Sequence, residues 1–128
     1  MRECGRRPRA ERGSATVWVV GIMAIIWVAA LVIVQIGTAR VARHRAQSTA
    51  DLSALAAASW ALAAPGQACE RAQTIAMANG ARLRSCSLSG ATADVAVVVE
   101  FVLPLAGSRT AIGSARAGPA LRPARRRP

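Results

Sequence analysis

From Gly13 to Ala39 the chain carries no charged side chain, and Arg12 and Arg40 bracket the stretch. Within it lie Trp18, Val19, Val20, Ile22, Met23, Ile25, Ile26, Trp27, Leu31, Val32, Ile33, Val34 and Ile36. An apolar run of this kind exceeds the roughly 20 residues that cross a bilayer as a helix. In hydrocarbon every backbone polar group must be satisfied internally, so a lone segment there is helical, and this constraint overrides the weak helix propensity of its β-branched residues. The pattern predicts a transmembrane helix over residues 14–39. The alternative, a buried helix of a soluble protein, lacks partners, because a chain of 128 residues offers too little surface to cover it.

The pattern then changes from large apolar to small. Residues 40–64 are rich in alanine and leucine, the best helix formers, and Pro65-Gly66 supplies a stop. Gly37 is the only weak point between this extension and the span, so one continuous helix over residues 14–64 is expected, about 75 Å long at 1.5 Å per residue. Small side chains on every face of the extension allow close approach of neighbouring helices. That predicts lateral packing with copies of the same chain; the alternative is a juxtamembrane helix lying on its own head domain.

From Gln67 the pattern changes again. Ala72, Ile75, Ala76 and Ala78 mark a short second helix over residues 68–79, with Asn79-Gly80 as its C-cap. Residues 81–88 read as a strand, Ser89-Gly90 as a turn and residues 93–103 as a second strand. In that strand Val95, Val97, Val99 and Phe101 share one face, while Asp94, Ala96, Val98, Glu100 and Val102 share the other. Such period-2 alternation marks a half-buried strand. Pro104 and Gly107 make another turn, and residues 109–116 return as a third, edge strand. The expected fold is an α+β membrane protein: a long N-terminal helix (transmembrane plus extension), a short second helix and a small antiparallel β-meander. Its segments are a basic leader (1–13), the span (14–39), the extension (40–64), a head (67–117) and a Pro/Arg tail (118–128) expected to be disordered.

Charge adds orientation. All 17 basic residues are arginine and the formal net charge is +11. A nucleic-acid surface needs a clustered basic face interleaved with stacking aromatics. Here eight arginines flank the span and four sit in the tail, and tyrosine is absent, so no nucleic-acid partner is expected. Arginine beside a span is explained by lipid headgroups and orientation signals. Five arginines precede it (Arg2, Arg6, Arg7, Arg9, Arg12) and three follow closely (Arg40, Arg43, Arg45). This places the N-terminus in the cytoplasm and the head outside. The segment is longer than the 7–15 residues of a cleaved signal's apolar region, and Thr38-Ala39-Arg40 is a poor cleavage site, so a retained anchor is expected.

The chemistry is sparse. Cys69 and Cys86 either form a disulfide, which an extracytoplasmic head permits, or remain two unpaired buried thiols; Cys4 lies apart beyond the span. The sole histidine, His44, sits among arginines and no Cys-x-x-Cys spacing occurs, so no metal or other cofactor is expected. There is no Gly-rich phosphate loop, no GxSxG elbow and no paired-carboxylate arrangement. Cys69 has no histidine partner in the head, and Asp94 and Glu100 read as solvent-side residues. No enzymatic activity is expected.

One stretch carries a resemblance. Arg45-Ala46-Gln47-Ser48, followed by Ala50-Asp51-Leu52 and then Leu55, resembles the post-membrane motif of the TadE/TadG-like proteins, minor pilins of tight-adherence (Flp pilus) secretion systems. Arg12-Gly13-Ser14-Ala15-Thr16-Val17 resembles that family's entry into the membrane, and Ala78 to Leu83 with Cys86 fits the head of its short actinobacterial members. The resemblance implies a pilin-like fold and a pseudopilin-like structural subunit in the bacterial cytoplasmic membrane. Its implied partners are membrane lipid, other Tad or pilin-like subunits and the assembly membrane proteins. It also implies a prepilin-type peptidase cutting between Gly13 and Ser14. Prepilins usually carry glutamate at the fifth position after the cut, and here that position is Trp18. Two outcomes follow, a cleaved subunit or an uncleaved membrane partner of the assembly machinery. The competing reading is a single-pass envelope binding module whose head engages an outside ligand.

Overall fold

The computed structural model describes residues 13–120; the basic leader ahead of Gly13, with Cys4, and the tail beyond Ala120 lie outside the described residues. The elements run α1 (Ser14–Trp60), α2 (Pro65–Ala78), β1 (Arg82–Ser89), β2 (Thr92–Leu103) and β3 (Gly107–Ala117). This is the expected α+β fold with a long N-terminal helix. The chain divides into two compact units between Ile36 and Gly37. The second half of α1 falls in the same unit as α2 and the sheet.

In the first unit the apolar side chains all face outward. Trp18, Ile25 and Trp27 are 71%, 69% and 65% exposed. The helix is long and apolar enough to cross a membrane. A helix that is apolar all round and uncovered by its own protein has hydrocarbon as its natural solvent.

In the second unit α1 ends at Trp60, four residues before the expected stop. The Ala64 amide donates to the Trp60 carbonyl at 2.8 Å, and Pro65 opens α2 instead of closing α1. The physical reason is proline's fixed φ and missing N–H, both of which suit a helix's first position. At the other end of α2 the Gly80 and Ala81 amides donate to the carbonyls of Met77 and Ala76, at 3.0 and 2.9 Å. This Schellman closure needs a left-handed residue, and Gly80 supplies it with φ +72°.

The sheet is antiparallel in the order β1-β2-β3, with a register shift between Leu83 and Ser85 in β1. Alternation in β2 falls as its sequence dictates: Ala93, Val95, Val97 and Val99 are buried and their neighbours turn outward. That inner face meets α1 and α2 in one core. The core is built almost wholly of alanine and valine, and Val97 is its largest fully buried side chain. Alanine buries little area, so each residue adds little hydrophobic stabilisation, at roughly 25 cal/mol per Å². What alanine provides instead is close approach of backbones.

Candidate packing surface

The helical part of the second unit has two faces with different fates. Ala42, Ala46, Ala50, Ala54 and Ala57, joined by Thr49 and Ser53, are buried. They fall at helical spacing and pack within the unit's own core. Of the two readings the sequence leaves open, this face follows the helix lying on its own head. The unit's own sheet and α2 are themselves Ala-, Gly- and Val-lined, and a smooth helix face is what they need to close on.

The closest approach is at Gly113 in the middle of β3. A Cβ there would overlap the Ala46 carbonyl and lie 2.8 Å from the Gln47 amide nitrogen. Beside this contact Gln47 Nε2 donates to the Ser114 carbonyl at 2.8 Å and reaches Asp51 Oδ1 at 3.4 Å. The motif's glutamine thus ties α1 to β3 in register. Gly113 and Ser114 carry no sequence pattern of their own; only a glycine interrupting an otherwise regular strand hints at a tight approach.

The remaining motif residues stay open. Arg45, Ser48, Asp51, Leu52 and Leu55 are exposed, Leu52 by 50% and Leu55 by 60%. The motif residues therefore split, with Ala46 and Ala50 inward, Gln47 bridging to β3, and the other five outward. Val41 (68% exposed) lies on that same outward side, one helical repeat before Ser48.

Around this frame the head is held by a few polar and covalent contacts. Cys69 and Cys86 are disulfide-bonded, with Cα atoms 5.9 Å apart, tying the first turn of α2 to the middle of β1. The Arg71 guanidinium stacks 4.7 Å from the Trp60 ring centroid and links the end of α1 to α2. Asp94 and Glu100, expected as solvent-side residues, are each paired with an arginine of a neighbouring strand. Arg116 grips Asp94 through Nε and Nη2 at 2.6 and 2.9 Å, and Arg82 pairs with Glu100. The Arg116 hydrogen bonds, and next its charge, hold the Asp94 carboxyl below the ordinary value of 3.8, and Arg116 is raised in turn. The Glu100 pair is well exposed and contributes little to stability. Gly13 and Ser14, the expected cleavage pair, are exposed at the start of α1, where Thr16 Oγ1 donates to the Gly13 carbonyl at 3.0 Å. Among the described residues no group of three His, Cys, Asp or Glu side chains lies together as a metal would require.

With the long helix and its split motif in view, comparison with known families has one outcome. Residues 13–64 match the model of the Flp pilus-assembly TadE/G-like family. Over that stretch the chain is TadE/G-like. No curated protein and no solved structure matches it. The matched segment is α1 and the turn after it, so the family signature covers the apolar stretch and both faces of the rest of that helix. The match gives residues 13–64 a likeness to a pilus-assembly family, and the same stretch holds one apolar helix long enough for single-pass anchoring.

Proposed function

We propose that this TadE/G-like chain is a non-enzymatic, pseudopilin-like subunit of a Tad/Flp-type pilus or secretion apparatus, acting by helix packing in and just above the membrane. Its N-terminus lies in the cytoplasm and its disulfide-bonded head outside. The observation that carries this reading is the family match confined to α1, whose lower part is apolar on every side and whose upper part keeps one face free. Its partners are lipid, other Tad or pilin-like subunits and the membrane proteins that assemble them. The outward residues Arg45, Ser48, Asp51, Leu52 and Leu55 meet those partners, while Ala46, Gln47 and Ala50 hold the helix on its own head. The Cys69–Cys86 bond supports the orientation, because disulfides persist in oxidising compartments and not in the cytosol. A prepilin peptidase reaches the exposed Gly13–Ser14 junction, with Trp18 in place of the usual glutamate.

The test is topological and covalent. A periplasm-active reporter fused after Pro128 should be active, and one fused at Met1 inactive. Mass spectrometry of the membrane-embedded chain should show an N-terminus at Ser14. An intact Met1 would remove the cleavage step and leave an uncleaved assembly partner; a cytoplasmic head would remove the proposal as a whole.

A further inference from the structure

The two hairpin turns of the head differ in chemistry, and the difference follows their place in the second unit. The β1–β2 turn reads Ser89-Gly90-Ala91-Thr92. The β2–β3 turn and its flanks read Phe101-Val102-Leu103-Pro104-Leu105-Ala106-Gly107, without a single polar side chain. Hairpin turns are ordinarily polar, since their tips face water. Here Val102 is 66% and Leu105 70% exposed, so the apolar tip is not folded into the core.

Its position is fixed by register. Phe101 and Val99 share a cleft with Thr38, Val41, Ala42 and Arg45, near the start of this unit's helix. Gly113 meets Ala46, and Ala115 to Gly118 lie beside Asp51, Ala54 and Leu55. β3 therefore runs alongside the helix in the same direction, and the 104–106 turn sits at the end where Gly37 begins the unit. The strand advances about 3.3 Å per residue against 1.5 Å for the helix, so the two steps from Phe101 to Leu103 cover about the same length as the four from Ala42 to Thr38. Gly37 is the residue at which the chain continues into the apolar span. The polar turn at Gly90 is at the opposite end of β2.

We propose that the β2–β3 turn, centred on Leu105, is a second membrane contact: a lipid-interface anchor that dips its Val102, Leu103 and Leu105 side chains among lipid headgroups. Arg109 at the base of the turn and Arg40 and Arg43 at the start of the unit's helix are all exposed. This end of the unit thus combines an apolar tip with exposed arginines, Arg45 lining the cleft with Phe101 among them, and anionic phospholipid is the surface that satisfies both. The anchor sets the tilt of the head on the bilayer and hence the direction in which Leu52 and Leu55 face. It rests on the reading of α1 as a membrane span.

Full-length protein with Cys4→Ser, reconstituted in phosphatidylcholine vesicles containing phosphatidylglycerol, carries an environment-sensitive fluorophore on Leu105→Cys or, as control, Ala91→Cys. The Leu105 probe should be quenched by spin-labelled lipid and protected several-fold from aqueous iodide relative to the Ala91 probe. Its protection should grow with the share of phosphatidylglycerol and weaken with Arg109→Gln. Equal iodide access at both positions, in protein that floats with the vesicles, overturns the anchor alone. Iodide protection without lipid quenching, rising with protein density, means a protein partner covers the tip and also overturns it. Protein that fails to float with the vesicles sinks both the anchor and the span.

Discussion

Gly113 and Asp94 show how single residues are constrained here. A methyl group on Gly113 would meet the Ala46 carbonyl, which is helix backbone and cannot swing aside. Overpacking of this kind costs about 1–3 kcal/mol. Gly113→Ala should therefore lower the thermal midpoint of the detergent-solubilised chain. Gly66→Ala, which adds its methyl to open space near the start of α2, should be neutral or raise it by up to about 1 kcal/mol through reduced unfolded-state freedom. Equal effects at the two sites would refute the close contact. At Asp94 the folded carboxyl is held below 3.8 by Arg116. A depressed carboxyl contributes stability that is fully present above the unfolded value and is lost as pH falls through the folded one. Asp94→Asn should thus melt below the parent at neutral pH, and the two should converge once the pH is taken well under 3.8. A gap that stays constant into acid would mean that the carboxylate's charge contributes nothing.

Elements were legible to different degrees, for reasons that lie in their side chains. The three strands and both turns follow from period-2 alternation and from Gly90 and Gly107, each with positive φ. The start of α1 at Ser14 and its passage beyond Arg45 follow from an uninterrupted uncharged run and then alanine. The face of α1 that is buried was not legible. Alanine is good on a helix anywhere and only weakly apolar, so a segment of alanine carries no moment to say which side faces a core. The answer lies in β3, where Gly113 and Ala111 leave room for a helix of small residues. Nor could spacing decide between bonded and free Cys69 and Cys86, since pairing depends on how α2 lies on β1. With the bond made, an alanine-valine core gains what its small side chains do not supply. Closing a loop of this length is worth about 3 kcal/mol by the chain-entropy estimate. Cys69→Ser, or reductant on the parent chain, should shift the head's unfolding midpoint in urea downward by a matching free energy. An unchanged midpoint would make the bond irrelevant to stability.

For the molecule as a whole, the division at Ile36/Gly37 separates an uncovered apolar helix from a unit that folds on its own core. The span has no inward face to lose, and the head spends its alanine stripe on itself. On the proposed function, partner contact in this unit falls to the outward side of α1. Small residues alone would have pointed to Ala50 and Ala57 as the place to trap a neighbour, but both are fully buried in the head. Cysteines introduced at Leu52 or Leu55 should crosslink to neighbouring subunits in intact membranes. Cysteines at Ala50 or Ala57 should either fail to crosslink or unfold the head, since a side chain larger than alanine there has no room. Circular dichroism and the urea midpoint of each variant separate those two causes. Productive crosslinks from Leu55 with none from Ala57 would assign assembly to the outward face; the reverse pattern would mean that the head lifts off α1 during assembly, freeing the alanine stripe for a neighbour. Monomer from all four positions, with folded heads, would remove helix packing above the membrane from the account and leave the apolar segment of residues 14–36 as the only assembly surface on α1.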